Sequence, residues 1–195
     1  MVTNRVNPRV VLIGPPGAGK TTVGQLIARR LGLELLDTDA LIVAREGRSI
    51  PDIFVDSGEP YFREIEREVV ALALRDAQAV VALGGGAILD EGTRAELAGH
   101  TVVFLDVALR DASRRVGFDQ GRPLLALNPR GQWLALMEYR RPLYQSLASL
   151  QIDTNGRTSQ QVADDLVSRL RDIGHGSADE PSEVGEQSPV ESGPA

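Results

Sequence analysis

Residues 14 to 22 read Gly14-Pro15-Pro16-Gly17-Ala18-Gly19-Lys20-Thr21-Thr22, and no other stretch constrains the fold as much. They fit G-x-x-x-x-G-K-[ST], a loop whose backbone N–H groups turn inward on a phosphate chain. Such a loop sits between a strand and the start of a helix, whose positive end completes the anion site. Both neighbours are legible. Arg9-Val10-Val11-Leu12-Ile13 predicts a short buried strand, and Val23 to Leu31 is apolar at helical spacing, with Gly32 placed to end the helix. Gly17, Ala18, Gly19, Lys20, Thr21 and Thr22 are therefore the candidate nucleotide-binding residues. Lys20 is suited to the β- and γ-phosphates and the Thr21 hydroxyl to Mg²⁺. Lys20 is also the only lysine among 21 basic residues. A chain that otherwise uses arginine keeps a compact ammonium here, where a planar guanidinium fits poorly between phosphate oxygens. The same bias lowers the weight of any single arginine.

The remaining bulk properties exclude more than they assign. At 195 residues, with 42% hydrophobic and 25% charged residues, the chain suits one globular domain. The absence of cysteine excludes disulfides and thiolate metal sites, which fits a cytoplasmic protein. The apolar run from Val10 stops at Gly14, too short for a signal peptide, and no stretch approaches a membrane span. The net charge of −6 is concentrated at one end: Asp179, Glu180, Glu183, Glu186 and Glu191 leave only −1 for the rest of the chain. Residues 174–195 thus predict an acidic, disordered tail that is a solvated appendage, outside a domain spanning 8–173. Nothing in the charge balance favours nucleic acid.

In chain order, a second strand is expected over Glu34 to Asp37, then helices over Ala40 to Glu46 and from Ser49, broken at Gly58-Glu59-Pro60. The next helix is expected from Tyr61 to about Ala77, with Phe62, Ile65, Val69, Leu72 and Ala73 as its buried stripe. Further strands are predicted at Ala79–Leu83, Thr101–Asp106 and Leu150–Asp153. Helices are predicted near Thr93–Ala98, at Ala108–Val116, through Trp133 to Arg140-Arg141-Pro142, and over Ser159–Ile173. Residues 117 to 130 read as an exposed loop. Strands alternating with helices argue for an α/β, three-layer fold with a parallel sheet covered on both faces. Ligands of such sheets bind at the carboxyl ends of the strands, which gathers the loop at Gly14, Asp37 to Asp39, Gly84 to Gly86 and Asp106 along one edge. Asp37 and Asp106 both end apolar strands. Spacing alone leaves either as the metal carboxylate, Asp106 having more of the look of a Walker B residue.

The chain resembles the shikimate kinases, P-loop kinases of the nucleoside-monophosphate-kinase fold. Beyond Gly14 to Thr22, the resemblance rests on Leu36-Asp37-Thr38-Asp39, Gly47-Arg48-Ser49-Ile50, Gly58-Glu59 with Phe62-Arg63, Leu83-Gly84-Gly85-Gly86-Ala87, Arg122-Pro123-Leu124-Leu125 and Arg140-Arg141-Pro142-Leu143-Tyr144. It covers about residues 8 to 173. It implies a five-stranded parallel sheet in the order 2-3-1-4-5 with a lid loop, and transfer of the ATP γ-phosphoryl group to the 3-hydroxyl of shikimate, on the route to chorismate and the aromatic amino acids. It implies Mg²⁺ held by Thr21 and, through water, by Asp37, which leaves Asp106 as a strand-end cap. Asp39 becomes the partner of the ring hydroxyls and the base, Lys20 and Arg122 the other catalytic residues, with Arg122 on the lid. Arg63 and Arg140 become a carboxylate clamp, and Gly84, Gly85 and Gly86 present bare backbone to the substrate. Arg115 and Arg157 border the adenine, and Phe54 and Phe62 lie near the acceptor pocket. A monomer is implied.

Read without the resemblance, Arg63 is a helix-surface residue paired with Glu59 or Glu66, and Arg122 a solvated loop charge. Thr21 stands where serine is frequent, and the loop between Arg122 and Trp133 has its own sequence. Trp133 reads as packing, and His100 and His175 as surface residues without metal-ligand spacing. The alternatives are a gluconate kinase, a nucleoside-monophosphate kinase, or a P-loop regulatory protein that transfers nothing. The clamp and triple glycine argue against a nucleotide acceptor, and the Asp37/Asp39 pair against pure binding.

Overall fold

In a computed structural model, described over residues 10–75, 78–116 and 128–176, the strand that precedes the glycine loop lies at the centre of the sheet. This strand, β1 (Val10–Ile13), is buried along its whole length. It pairs in parallel with β3 (Ala79–Ala82) through Val11↔Val81 and with β4 (Val102–Asp106) through Leu12↔Val103. The edges are β2 (Glu34–Asp37), beside β3, and β5 (Leu150–Asp153), beside β4. The order is therefore 2-3-1-4-5, as the resemblance implies. Continuous Val, Ile and Leu runs form the three inner strands because both sheet faces are covered.

Side chains cap the starts of several covering helices, but not that of the first. α1 (Lys20–Leu31) begins at Gly19, in the left-handed region at φ 92°, and ends at Gly32, also left-handed at φ 65°. α2 (Thr38–Glu46) is capped by the Asp37 carboxylate, and α3 (Ile50–Ala73) by the Ser49 hydroxyl. The expected break at Gly58-Glu59-Pro60 is a kink rather than an end, with helix on both sides of Gly58 at φ 81°, ψ 169°. α3 stops at Ala73, short of the predicted Ala77. Leu72 does not belong to its buried stripe: it is 62% exposed, while Phe62, Ile65, Val69 and Ala73 are buried.

After β3 come a 3₁₀ turn at Ala87–Leu89 and α4 (Glu91–Glu96), which starts earlier than predicted because the Asp90 carboxylate caps Thr93. α5 (Leu109–Val116) follows β4. α6 (Pro129–Leu147) runs through Pro142 and continues past it, and α7 (Ser159–Gly176) packs on α1.

Two apolar clusters result. The larger joins the sheet to α1, α6 and α7 and contains Ile13, Phe104, Tyr144 and Leu166. The smaller joins Ile42, Ile53, Phe62, Ile65 and Val69 of α2 and α3. Each fully buried aliphatic side chain contributes about 1.5–3 kcal/mol, so the small cluster suffices to order a secondary lobe beside the sheet's carboxyl edge. Among the described residues no helix is long and apolar enough to cross a membrane.

Candidate active site

The glycine loop is shaped by its neighbours. Gly14, at φ 146°, approaches β4 so closely that a Cβ there would lie 2.6 Å from the Leu105 carbonyl oxygen. Gly17 and Gly19 also take positive φ, which turns the chain into the first turn of α1. Lys20 Nζ donates to the Gly14 and Pro15 carbonyls at 2.8 and 3.2 Å, and thereby lies under the loop. Burial pulls its pKa below the ordinary value, against the Asp39 and Asp37 carboxylates, which raise it.

Asp37 divides its two oxygens. Oδ1 accepts from the Asp39 and Ala40 backbone N–H groups, and Oδ2 accepts from the Thr21 hydroxyl at 2.6 Å. Two hard oxygens side by side at the loop suit Mg²⁺, which takes one or two carboxylates and completes its shell with phosphate and water. The described residues hold no group of three or more His, Asp or Glu side chains that could cage a metal, as this mode of binding requires none. Asp106 is engaged elsewhere: its Oδ2 accepts from Arg141 at 2.5 Å and Gln151 at 3.2 Å. The two strand-end aspartates thus differ in their partners: Asp37 faces the Thr21 hydroxyl of the loop, and Asp106 is held by Arg141 and Gln151.

A cavity of about 490 Å³ opens over the loop. Its lining includes Gly17, Gly19, Lys20, Thr21, Thr22, Asp37, Asp39 and Arg115, together with Leu83 and Ser159, which the sequence reading did not single out. Arg115 donates to the Gly17 and Ala18 carbonyls at 3.2 and 3.4 Å and to Thr154 on the other side. Arg157 is not among the lining residues; its guanidinium donates to Asp165 and to the Asp153 and Gln161 carbonyls. Arg122 lies outside the described residues.

The triple glycine joins the phosphate loop to the acceptor side, each residue by a close approach. A Cβ at Gly84 would lie 2.5 Å from Asp39 Oδ1 and 2.9 Å from Glu66 Oε1. At Gly85 it would meet the Gly14 carbonyl oxygen and Pro16 Cδ, both at 3.3 Å; at Gly86 it would meet Arg63 Nη1 at 2.6 Å. Two more groups fix this turn. The buried Thr38 hydroxyl accepts from Gly84 N at 2.9 Å, and the Gly85 carbonyl accepts from Arg140 at 2.9 Å and from the Tyr144 hydroxyl at 2.6 Å. Burial raises the Tyr144 pKa to about 12, so the hydroxyl stays a donor.

Asp39 therefore faces Gly84 and shares the field of Lys20 and Arg63. Its pKa is raised, first by burial and then by Asp37, while Lys20 and Arg63 oppose the rise. Arg63 pairs with both Glu59 and Glu66, as its reading as a helix residue expected. Its guanidinium lies against Gly86, donating to Glu59 at 3.1 and 3.0 Å and to Glu66 at 2.5 Å. Glu66 is only 4% exposed, and burial raises its pKa against the pull of Arg63. Thr38 was read only as the middle residue of Asp-Thr-Asp and Glu66 only as a partner of Arg63; that both lie buried at Gly84 depends on contacts distant in sequence. Phe62 is buried in the small cluster, with Phe54, 37% exposed, against it at 4.6 Å between ring centroids. Trp133 packs as expected and donates to the Pro16 carbonyl at 3.4 Å.

A phosphate cradle with the Asp39 carboxylate in its cavity, and two guanidiniums held against a bare backbone turn beside it, suits phosphoryl transfer to a small anionic polyol. Comparison with known proteins agrees. The family model described as "Shikimate kinase" matches residues 16–171. The shikimate kinase of Thermobifida fusca is 56% identical over 163 residues, covering 84% of this chain and 95% of the relative. That of Streptomyces avermitilis is 55% identical over 163 residues, with the same coverage of 84% and 95%. Among solved structures, the shikimate kinase of Acinetobacter baumannii in complex with shikimate superposes with a TM-score of 0.78 at 35% identity, covering 90% of this chain and 97% of that one. A gluconokinase from Sinorhizobium meliloti reaches a TM-score of 0.53 at 18% identity, covering 89% and 97%, and shares the fold alone. With a family model over residues 16–171 and relatives more than half identical over 95% of their own length, the chain belongs to the shikimate kinase family.

Proposed function

We propose that this chain transfers the γ-phosphoryl group of ATP to the 3-hydroxyl of shikimate, giving shikimate 3-phosphate and ADP, in the cytoplasmic route to chorismate and the aromatic amino acids. The observation that carries this reading is the position of Asp39, in one cavity with Lys20 and against the bare turn at Gly84. Backbone N–H groups from Gly17 to Thr22 hold the phosphates, and Lys20 balances charge on the oxygens of the moving group. Mg²⁺, held by Thr21 and Asp37, supplies charge neutralisation and alignment of the phosphates when bound. Arg63 and Arg140 hold the acceptor carboxylate, and Gly84 to Gly86 let the ring approach the backbone. Asp39 orients the 3-hydroxyl and takes its proton, for which a raised pKa is an advantage. Arg115 closes the nucleotide end of the cavity. The protein acts as a monomer.

A coupled assay of ADP release tests this with Mg²⁺, ATP and separate acceptors: shikimate, gluconate and nucleoside monophosphates. The reading requires turnover with shikimate alone. Equal rates on all acceptors, or none on shikimate, overturn it.

A further inference from the structure

α6 touches the site at both ends. Near its start, Trp133 donates to the Pro16 carbonyl of the phosphate loop. Near its end, Arg140 and Tyr144, four residues apart and so on one face, both donate to the Gly85 carbonyl. Between these two lies Pro142, which lacks an N–H and leaves the helix one hydrogen bond short at that turn. The turn between the two Gly85 ligands therefore lacks one helical hydrogen bond.

Arg141 leaves the helix in another direction, about 100° round from Arg140. Its Nη1 donates at 2.5 Å to Asp106 Oδ2, at the end of β4. Asp106 is firmly placed. Its carbonyl accepts from the Thr154 N–H and hydroxyl, each at 2.9 Å, and its carboxylate also accepts from Gln151. The other carboxylate oxygen, Oδ1, is buried without a partner, so the charge leans on Arg141 and Gln151 through Oδ2 alone.

We propose that the Arg141–Asp106 ion pair is a positioning device for acceptor binding: it pins α6 to the sheet beside the break at Pro142 and so holds Arg140 and Tyr144 on Gly85. Neither residue of the pair touches substrate. The inference rests on the reading of Arg140 and Gly85 as part of the shikimate site. It separates acceptor from donor, because the contact of α6 with the phosphate loop is made two turns earlier, at Trp133.

The test measures Tm and both KM values in wild type, Arg141→Ala, Asp106→Ala and the double variant. Arg141→Ala leaves the largely buried Asp106 carboxylate without its counter-charge and with only the Gln151 amide as donor, so Tm falls. The KM for shikimate should rise about tenfold, with the KM for ATP within about twofold of wild type. In the double variant the lone charge is gone and Tm recovers, but the tether is still missing, so the shikimate KM stays high. Arg141→Lys should restore part of the affinity, and it carries the comparison if Arg141→Ala does not fold. A shikimate KM that recovers along with Tm, that is unchanged in Arg141→Ala, or that rises together with the KM for ATP overturns the inference. Wild type inert toward shikimate removes the functional reading and this inference with it; active wild type with an unaffected Arg141→Ala removes the inference alone.

Discussion

Asp39 carries opposite demands in a single side chain. Its burial against Gly84 disfavours the charged form, while Lys20 and Arg63 favour it, and the net result is a pKa above the ordinary 3.8. As a base, it must be ionised before the 3-hydroxyl can give up its proton. The acid limb of kcat/KM against pH should therefore fall above 3.8 and vanish in Asp39→Asn. That variant should lose at least about 100-fold in kcat while its affinity for ATP stays within about twofold, as read by single-turnover kinetics and nucleotide titration. Stability should move the other way. Because Asp39 holds its proton more tightly folded than unfolded, it adds stability at low pH and loses it as pH rises through the folded value. Asp39→Asn should thus melt above wild type near neutral pH, and the gap should close toward the ordinary value of 3.8. Gly86→Ala probes the clamp in the same way. Its Cβ would lie 2.6 Å from Arg63 Nη1 and displace the guanidinium, so the shikimate KM should rise about tenfold with little change for ATP.

At the scale of elements, the kink in α3 is what brings Arg63 to the triple glycine. Gly58 sits at φ 81°, a conformation that costs other residues about 1–3 kcal/mol. Arg48 fastens the turn before it, donating to Ser57 at 2.9 Å and to Asp56 and Glu46 at 3.4 and 3.3 Å. Gly58→Ala should lower stability by about 1–2 kcal/mol in urea denaturation, and raise the shikimate KM more than that of ATP. Most of this was legible. The glycine loop needs its strand and helix, and strand–helix alternation needs a parallel sheet, so β1, α1 and the layering follow from local chemistry. What was not legible depended on partners distant in sequence. Asp37 and Asp106 look alike because each ends an apolar strand; only Thr21 on one and Arg141 on the other distinguish them. Leu72 fits the helical period of α3, but the last turn is buried through Val70, Ala73 and Leu74, which leaves Leu72 on the outer face. Pro142 reads as a stop, yet packing of Tyr144 under Gly85 carries α6 beyond it.

The proposed acceptor site draws on both apolar clusters, with Arg63 on α3 beside the small one and Arg140 on α6, which packs in the large one. The donor loop is built on the sheet and α1, while Arg63 and Glu66 stand on the small lobe of α2 and α3, and Gly84 to Gly86 is the seam between them. A variant of the small cluster such as Ile53→Ala, fully buried, should cost about 2–5 kcal/mol and impair shikimate binding before ATP binding. Residues 174–195 are proposed to stand outside this division, and a chain ending at residue 176 should keep the Tm and turnover of the full chain. The central claim is that the acceptor is read by its carboxylate, across the seam from the phosphate cradle. It is tested most directly by comparing kcat/KM for shikimate with that for the analogue whose carboxylate is reduced to a primary alcohol. The account predicts a loss of about 100-fold or more in wild type, shrinking to a few-fold in Arg63→Ala/Arg140→Ala, because the guanidiniums that read the charge are gone. Equal kcat/KM for the two acceptors in wild type would contradict it.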